Sequence, residues 1–270
     1  MKRHFMAIMR PSKDILLFFV LLGIIATYFA SWLPDIAVIG IEGSRISSVV
    51  SFSALNGMIF GPIFGPIVSF SGVLLHGLSN PSFFEKDTFH IISPLFTVFS
   101  SLTGALLISG RKKVALTLYA IPLLAWYVFP TGRDVFYYPW YHVLVLAIFF
   151  KFDNKYGRKI NSSKGILVIY LYLIASIAVL ADHIAGSTAA LIFYDLTPAM
   201  FNKVILVYPI ERSILALFST LIVFVLFLMF HAILQDITTF EGKAREIKED
   251  TIEEYMQTEI KKILGNKGNR

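Results

Sequence analysis

The residues with chemistry to offer are few, and they sit as polar islands in apolar sequence. Asp182 and His183 are adjacent, inside a run that begins near Ile166 and is otherwise uncharged. His142 follows Trp140 and Tyr141, and Glu211-Arg212 opens the last apolar run just after Pro209. Asn56 stands one residue before a glycine ladder, His76 closes the same segment, and Asn80 follows it. Ionisable groups are costly in hydrocarbon and turn toward a cavity or a partner. Carboxylates, imidazoles, amides and aromatic rings gathered at one depth suit recognition of a small organic solute. Each group also has a plainer use. Asp182-His183 reads equally as a pair that fixes helix packing. Glu211-Arg212 reads as a capping ion pair or as a gate, and Trp140 and His142 as interface anchors or ligand contacts.

Other chemistries are missing from the sequence. There are no cysteines, so thiolate catalysis, zinc–thiolate sites and disulfides are excluded. The six histidines (4, 76, 90, 142, 183 and 231) show no metal-ligand spacing on one helix face, so each is expected to be packed or interfacial. No metal or cofactor is expected. No G-x-x-x-x-G-K-[ST], H-E-x-x-H or G-x-S-x-G pattern occurs, and no enzyme activity is suggested.

The elements that must position these groups are membrane helices. Apolar residues make up 56% of the 270, charged residues 16%, and the mean hydropathy is +0.69. A soluble chain carries about a quarter charged residues. The expectation is an all-α, multi-pass bundle in the cell membrane, with apolar segments near 14–34, 46–78, 90–109, 114–130, 138–151, 166–193 and 211–234. The first run, Ile15 to Leu33, is too long for a signal-peptide core and is expected to be retained. The net charge of +6 is read as a topology signal, with no nucleic-acid partner implied.

Segment 46–78 is too long for one straight span, at about 50 Å against a hydrocarbon core of about 30 Å. It holds Gly57, Gly61-Pro62 and Gly65-Pro66 at its centre. Proline removes a helix hydrogen bond and disfavours helix geometry in the residue before it. Basic residues decide how often the segment crosses. Two crossings, with a cytoplasmic N-terminus, leave 19 of the 24 Lys and Arg inside and 5 outside. One crossing gives 8 inside and 16 outside, against the positive-inside rule. An even number of crossings is therefore expected, as two spans or as a re-entrant hairpin, giving about eight spans with both termini cytoplasmic. The domain reading is a basic tail over 1–13, a membrane domain over 14–235 and a charged tail over 236–270. In that last tail Ile252, Met256, Ile260 and Ile263 recur at helical spacing.

Small residues mark close helix contacts. Gly57, Gly61 and Gly65 form one stripe, and Ala26 and Ala30, with Gly23, form another. Each could serve internal packing or the landing of another membrane subunit.

Four features together resemble the substrate-binding S components of energy-coupling factor (ECF) vitamin transporters. They are the Ala26-x-x-x-Ala30 pair, the Leu55–Gly65 unit "LNGMIFGPIFG" followed by Gly72 and His76, the "SSLTGALLISGRKK" span end, and the proline-led "VYPIERSILALFSTLIVF" helix. The resemblance covers most of 12–110 and 166–235. It implies a six-helix core that binds a vitamin-like solute from outside. It further implies docking through Ala26 and Ala30 onto a transmembrane coupling subunit carried on two cytoplasmic ATPases, and a loop over 34–45, with Asp35, Glu42 and Arg45, that closes the pocket. The substrate-binding candidates are then Asn56, His76, Asn80, Trp140, His142, Asp182, His183, Glu211 and Arg212. The chain departs from that pattern by an extra hairpin near 114–151. A stand-alone secondary transporter is the other reading, and a membrane enzyme acting on lipids a third.

Overall fold

The computed structural model describes residues 13–34, 36–37, 45–46, 48–80, 87–160 and 163–229, with 36–37 and 45–46 described by backbone alone. The expected tails and most of the 34–45 loop, with Asp35, Glu42 and the Arg45 side chain, lie outside these residues. The chain divides into Met1–Phe224 and Val225–Arg270. The fold below is that of the first unit; of the second, 225–229 are described and are helical.

The described chain is helical apart from one minimal antiparallel β pair. In order it runs α1 (Lys13–Ala30), β1 (Ile36–Ala37), β2 (Arg45–Ile46), α2 (Val49–Ser79), α3 (Thr88–Ile92), α4 (Pro94–Ile108), α5 (Lys112–Trp126), α6 (Pro130–Asp134), α7 (Trp140–Tyr156), α8 (Lys164–Phe193), α9 (Pro198–Val204) and α10 (Tyr208–Met229). Among the described residues, five helices are long and apolar enough to cross a membrane: α1, α2, the continuous Thr88–Ile108 segment, α8 and α10. This is the composition of a multi-pass membrane protein. The expected segments 114–130 and 138–151 became α5, of 15 residues, and α7, of 17. At 1.5 Å per residue they are about 22 and 26 Å long, shorter than the other apolar helices.

α2 is two helices. Its one non-helical residue is Gly61, at φ 80° and ψ −171°, a conformation that glycine adopts without a Cβ clash. Pro62 follows and cannot donate to the turn before it. The arms 49–60 and 62–79 fold back on each other. Asn56 Nδ2 donates to Ser69 Oγ at 3.1 Å, although thirteen residues of straight helix would set the two about 20 Å apart. A Cβ on Gly65 would lie 2.8 Å from the Gly57 Cα. The glycine ladder is thus the inner lining of a tight helical hairpin. The second arm runs parallel to α1, with Val68 against Gly23 and Gly72 against Thr27. Phe60, at the end of the first arm, also packs on Gly23.

α8 is the centre of the bundle. From Leu173 to Ala185 every residue except Asp182 is buried. A helix apolar on all faces belongs inside, and α2, α4, α5 and α7 pack around it. Its small positions admit close neighbours, with Gly104 of α4 set against Ala178. α4 ends in a Schellman turn: Gly110 has φ 77°, Arg111 N donates to the Leu106 carbonyl at 2.8 Å, and Gly110 N donates to the Leu107 carbonyl at 3.0 Å. The turn leads into α5, which is bound to α7 at one end by an ion pair between Lys112 and Asp153.

The hairpin sets a stability prediction. A Cβ on Gly57 would fall 2.0 Å from the Ser101 carbonyl oxygen, a backbone atom that cannot step aside, whereas one on Gly186 meets nothing nearer than Phe96 at 3.7 Å. Gly57→Ala is expected to lose about 3 kcal/mol or more, as overpacked cores do, and Gly186→Ala to stay within about 0.5 kcal/mol. Melting in detergent, followed by tryptophan fluorescence, checks both. Gly61→Leu and Gly65→Leu should behave like Gly57→Ala.

Candidate functional site

The most concentrated polar chemistry inside the bundle lies where the start of α7, the upper part of α8 and the start of α10 meet. His142 is on the first turn of α7 and is 0% exposed; His183 is on α8 and is 7% exposed. The segment before α7, which begins in α6 with Pro130 as its first residue, brings Tyr138 over both. Tyr138 OH lies 3.2 Å from His183 Nε2, and His183 Nδ1 lies 3.4 Å from His142 Nε2. His183 therefore uses both ring nitrogens. Tyr208, the first residue of α10, donates its hydroxyl to the Tyr138 carbonyl at 2.7 Å. The His183 ring is nearly parallel to those of His142 and Tyr208, with centroids 5.3 Å and 4.7 Å away, while the His142 and Tyr208 rings are tilted 38° to each other.

Aromatic residues close the sides. Trp126 stacks on Tyr138 at 5.1 Å, Phe201 meets both edge-on, and Tyr119 lies 6.3 Å from the His142 ring. Arg212, Asp182 and Glu211 bring charge to the same region: Arg212 is within electrostatic range of Tyr138, His142, His183, Asp182 and Glu211. Several buried donors find no partner among the described residues, namely Trp126 Nε1, Tyr119 OH and Arg212 Nε, while the His142 ring has the Leu180 backbone carbonyl within reach. Unpaired buried donors are rare because each forfeits its hydration. Two of the three are N–H groups, which suits an acceptor-bearing solute. No third His, Cys, Asp or Glu joins the histidines to make a three-ligand metal site among the described residues.

A second polar cluster ties α1 to the α2 hairpin. Asn56 Nδ2 donates to Thr27 Oγ1 at 2.9 Å as well as to Ser69, and Thr27 passes its own proton to the Gly23 carbonyl at 2.8 Å. This network is closed on itself and reads as packing. His76 packs edge-on against Trp32 at 4.7 Å and Tyr28 at 6.3 Å, and Asn80 caps the end of α2 with its backbone N–H on the Gly77 carbonyl.

The sequence candidates thus separate into two groups. His142 and His183 meet directly, with Asp182, Glu211 and Arg212 around them, while Asn56, His76 and Asn80 belong to the α1–α2 side. Trp140 lies apart from both, 38% exposed, and donates Nε1 to the Ile205 carbonyl at 3.1 Å. Gly57, Gly61, Pro62, Gly65 and Pro66 all fall in the hairpin. The Ala26–Ala30 pair is divided: Ala26 is exposed, and Ala30 is buried within the bundle. Sequence reading missed Tyr138, Tyr208, Tyr119 and Trp126. The run "VFYYPWYH" over 135–142 held a signal in its density of rings beside a histidine, but spacing gave no hint that it meets a residue 41 positions later.

An exposed polar patch joins α3 to the end of α8. Asp87 caps α3 by accepting from His90 N at 3.0 Å, lies 2.8 Å from His90 Nδ1, and accepts from Tyr194 OH at 2.8 Å. The backbone and side-chain bonds from His90, then that from Tyr194, pull the Asp87 carboxyl down to about 2. A depressed pKa means these contacts are fully present above the ordinary value of 3.8 and are lost as the pH falls through about 2. Amide exchange at His90 should therefore stay slow from neutral pH down to about 4 and rise only in stronger acid. In Asp87→Asn, which cannot take up that proton, the acid-dependent rise should vanish.

No protein-family model matches the chain, and no solved structure matches it. A protein of Methanocaldococcus jannaschii, described only as uncharacterized, is 27% identical over 218 residues, covering 80% of this chain and 70% of the relative.

Proposed function

We propose that this chain is the substrate-capture S subunit of an ECF-type importer in the cell membrane. It would bind a small vitamin-like solute from outside and deliver it to a transmembrane coupling subunit driven by separate ATPases. The observation that carries this reading is the ring and donor cluster of Tyr138, His142, His183 and Tyr208, with Arg212 in range and the unpaired donors of Trp126, Tyr119 and Arg212 beside it, enclosed in an apolar bundle. Such a site recognises a small solute with acceptor groups and a flat or apolar body. The absence of a phosphate loop from the sequence suits a subunit that leaves ATP hydrolysis to others. The reversal at Gly61 supports the even number of crossings that the basic residues require, and with it about eight passes and two cytoplasmic termini. The 12-residue first arm, about 18 Å long, favours the re-entrant form of that hairpin, which keeps the parity and both cytoplasmic termini but lowers the count from about eight full passes to six.

α1 suits the docking role in part. Leu22, Ile25 and Phe29 are exposed beside Ala26 and make an apolar face on a helix that packs on few neighbours. Ala30 faces inward, so docking would centre on Ala26.

A stand-alone permease is the second reading, favoured by the hydrogen-bonded chain of Tyr138, His183 and His142. Purification in mild detergent separates the two. An S subunit should bring down a coupling subunit and ATPases, Ala26→Trp should abolish that recovery, and Ala30→Trp should unfold the bundle. Mass spectrometry of the co-purified small molecule identifies the solute. Solute uptake by the chain alone in liposomes, driven by an ion gradient, would overturn the importer reading.

A further inference from the structure

We propose that Tyr138, His183 and His142, the same side chains that make up the proposed solute site, also form a proton relay through the buried interior of the bundle, a second role that is tested with no solute present. Two geometric facts carry it. The three side chains make one unbroken line of polar atoms: Tyr138 OH to His183 Nε2 at 3.2 Å, then His183 Nδ1 to His142 Nε2 at 3.4 Å. Both imidazoles are buried, His142 with Tyr138 on one chain segment and His183 on α8, so the line is fixed by packing. His183 meets another member of the line through each of its nitrogens, which makes it the exchange point.

Hydrogen-bond roles along the line are interdependent. If Tyr138 donates, His183 must carry its proton on Nδ1 and give it to His142 Nε2, and His142 then holds its proton on Nδ1. If the line runs the other way, every proton moves to the opposite atom. The two polarities use the same heavy-atom positions. One passage converts one into the other. A proton arrives on the Tyr138 oxygen, the phenolic proton moves to His183 Nε2, the His183 Nδ1 proton moves to His142 Nε2, and the His142 Nδ1 proton leaves. One proton enters and one departs, no heavy-atom bond breaks, and the line ends with its original charge. The ends are suited to entry and exit. Half-buried Ser187 lies within reach of the Tyr138 hydroxyl at one end, and the Leu180 backbone carbonyl lies within reach of the His142 ring at the other. In the low-dielectric interior such bonds polarise one another.

The titratable groups around the line are Tyr119 on α5 and Tyr208 on α10, whose rings meet it, Tyr141 on α7, which packs on Tyr208, Arg212 on α10, within range of all three members, and Asp182 on α8 and Glu211 on α10, within range of Arg212. Asp182 and Glu211 lie within range of Arg212, so the line runs beside a cluster of mixed charge.

The test uses the full chain. Histidine nitrogen NMR in lipid nanodiscs should show His183 with both nitrogens hydrogen-bonded, and Tyr138→Phe should shift the His142 nitrogens as well as those of His183. An unchanged His142 spectrum in that variant would overturn the relay. In liposomes with an imposed pH gradient and an internal pH dye, wild-type chain should carry protons, and Tyr138→Phe or His142→Gln should slow them about 100-fold. Tyr127→Phe, which removes a surface hydroxyl bonded to the Phe136 carbonyl, should match wild type. Circular dichroism confirms that each variant is folded. Proton flux no greater than in protein-free liposomes, or flux indifferent to Tyr138→Phe, would overturn the proposal. So would stoichiometric zinc uptake lost in His142→Gln, because the facing nitrogens would then be a metal pair.

Discussion

The Asn56 carboxamide is the interaction on which the arrangement of the first half of the bundle rests. Its two amide protons go to Thr27 on α1 and Ser69 on the returning arm of α2, so one side chain joins three helical segments. In an apolar interior an amide without partners is strongly unfavourable, and water is not there to replace them. The hairpin must therefore close on itself and on α1 together. Gly57, Gly65 and Gly72 make that possible, because each sits where a Cβ would collide with a neighbouring helix. Gly61 supplies the one backbone conformation that reverses the chain. The helix breakers in this apolar segment are the condition for burying polar groups there at all.

The second half is organised around α8. Because α8 is buried on every side, any polar residue on it must find partners from the surrounding helices. Ser176 resolves this locally by donating to the Tyr172 carbonyl one turn back, at 2.8 Å. Thr188 reaches across to the Pro122 carbonyl at 3.1 Å. His183 cannot be satisfied within its own helix, and so it draws in Tyr138 and His142. The ring cluster is the consequence of placing an imidazole on the most buried helix. The apolar walls also concentrate its chemistry, since charges and dipoles interact more strongly where solvent is excluded.

The extra α5–α7 hairpin, which departs from a six-helix S-component pattern, turns out to be part of this cluster. It contributes Tyr119, Trp126 and His142 and brings Tyr138 with it. A solute site built here would be peculiar to this chain in its contacts, even if the core around α1, α2, α4, α8 and α10 follows the S-component plan.

The sequence by itself determined that the chain is helical and apolar enough to cross a membrane several times, where the helices fall, and that segment 46–78 must break near Gly61. Those features are local: hydrophobic run length, the missing N–H of proline and the φ freedom of glycine act within a few residues. It also marked His142, His183, Asp182, Glu211 and Arg212 as polar groups in need of company. Tertiary structure alone decided which of them keep company. Asn56 and His76 look equivalent to His142 in a list of polar residues, yet Asn56 is consumed by Thr27 and Ser69, and His76 rests against Trp32. The pairing of His142 with His183 joins two helices, and no periodicity within either one encodes it. The inward turn of Ala30 follows from which face of α1 meets the hairpin, a choice made by the fit of Gly23 and Thr27 against Phe60, Val68 and Gly72.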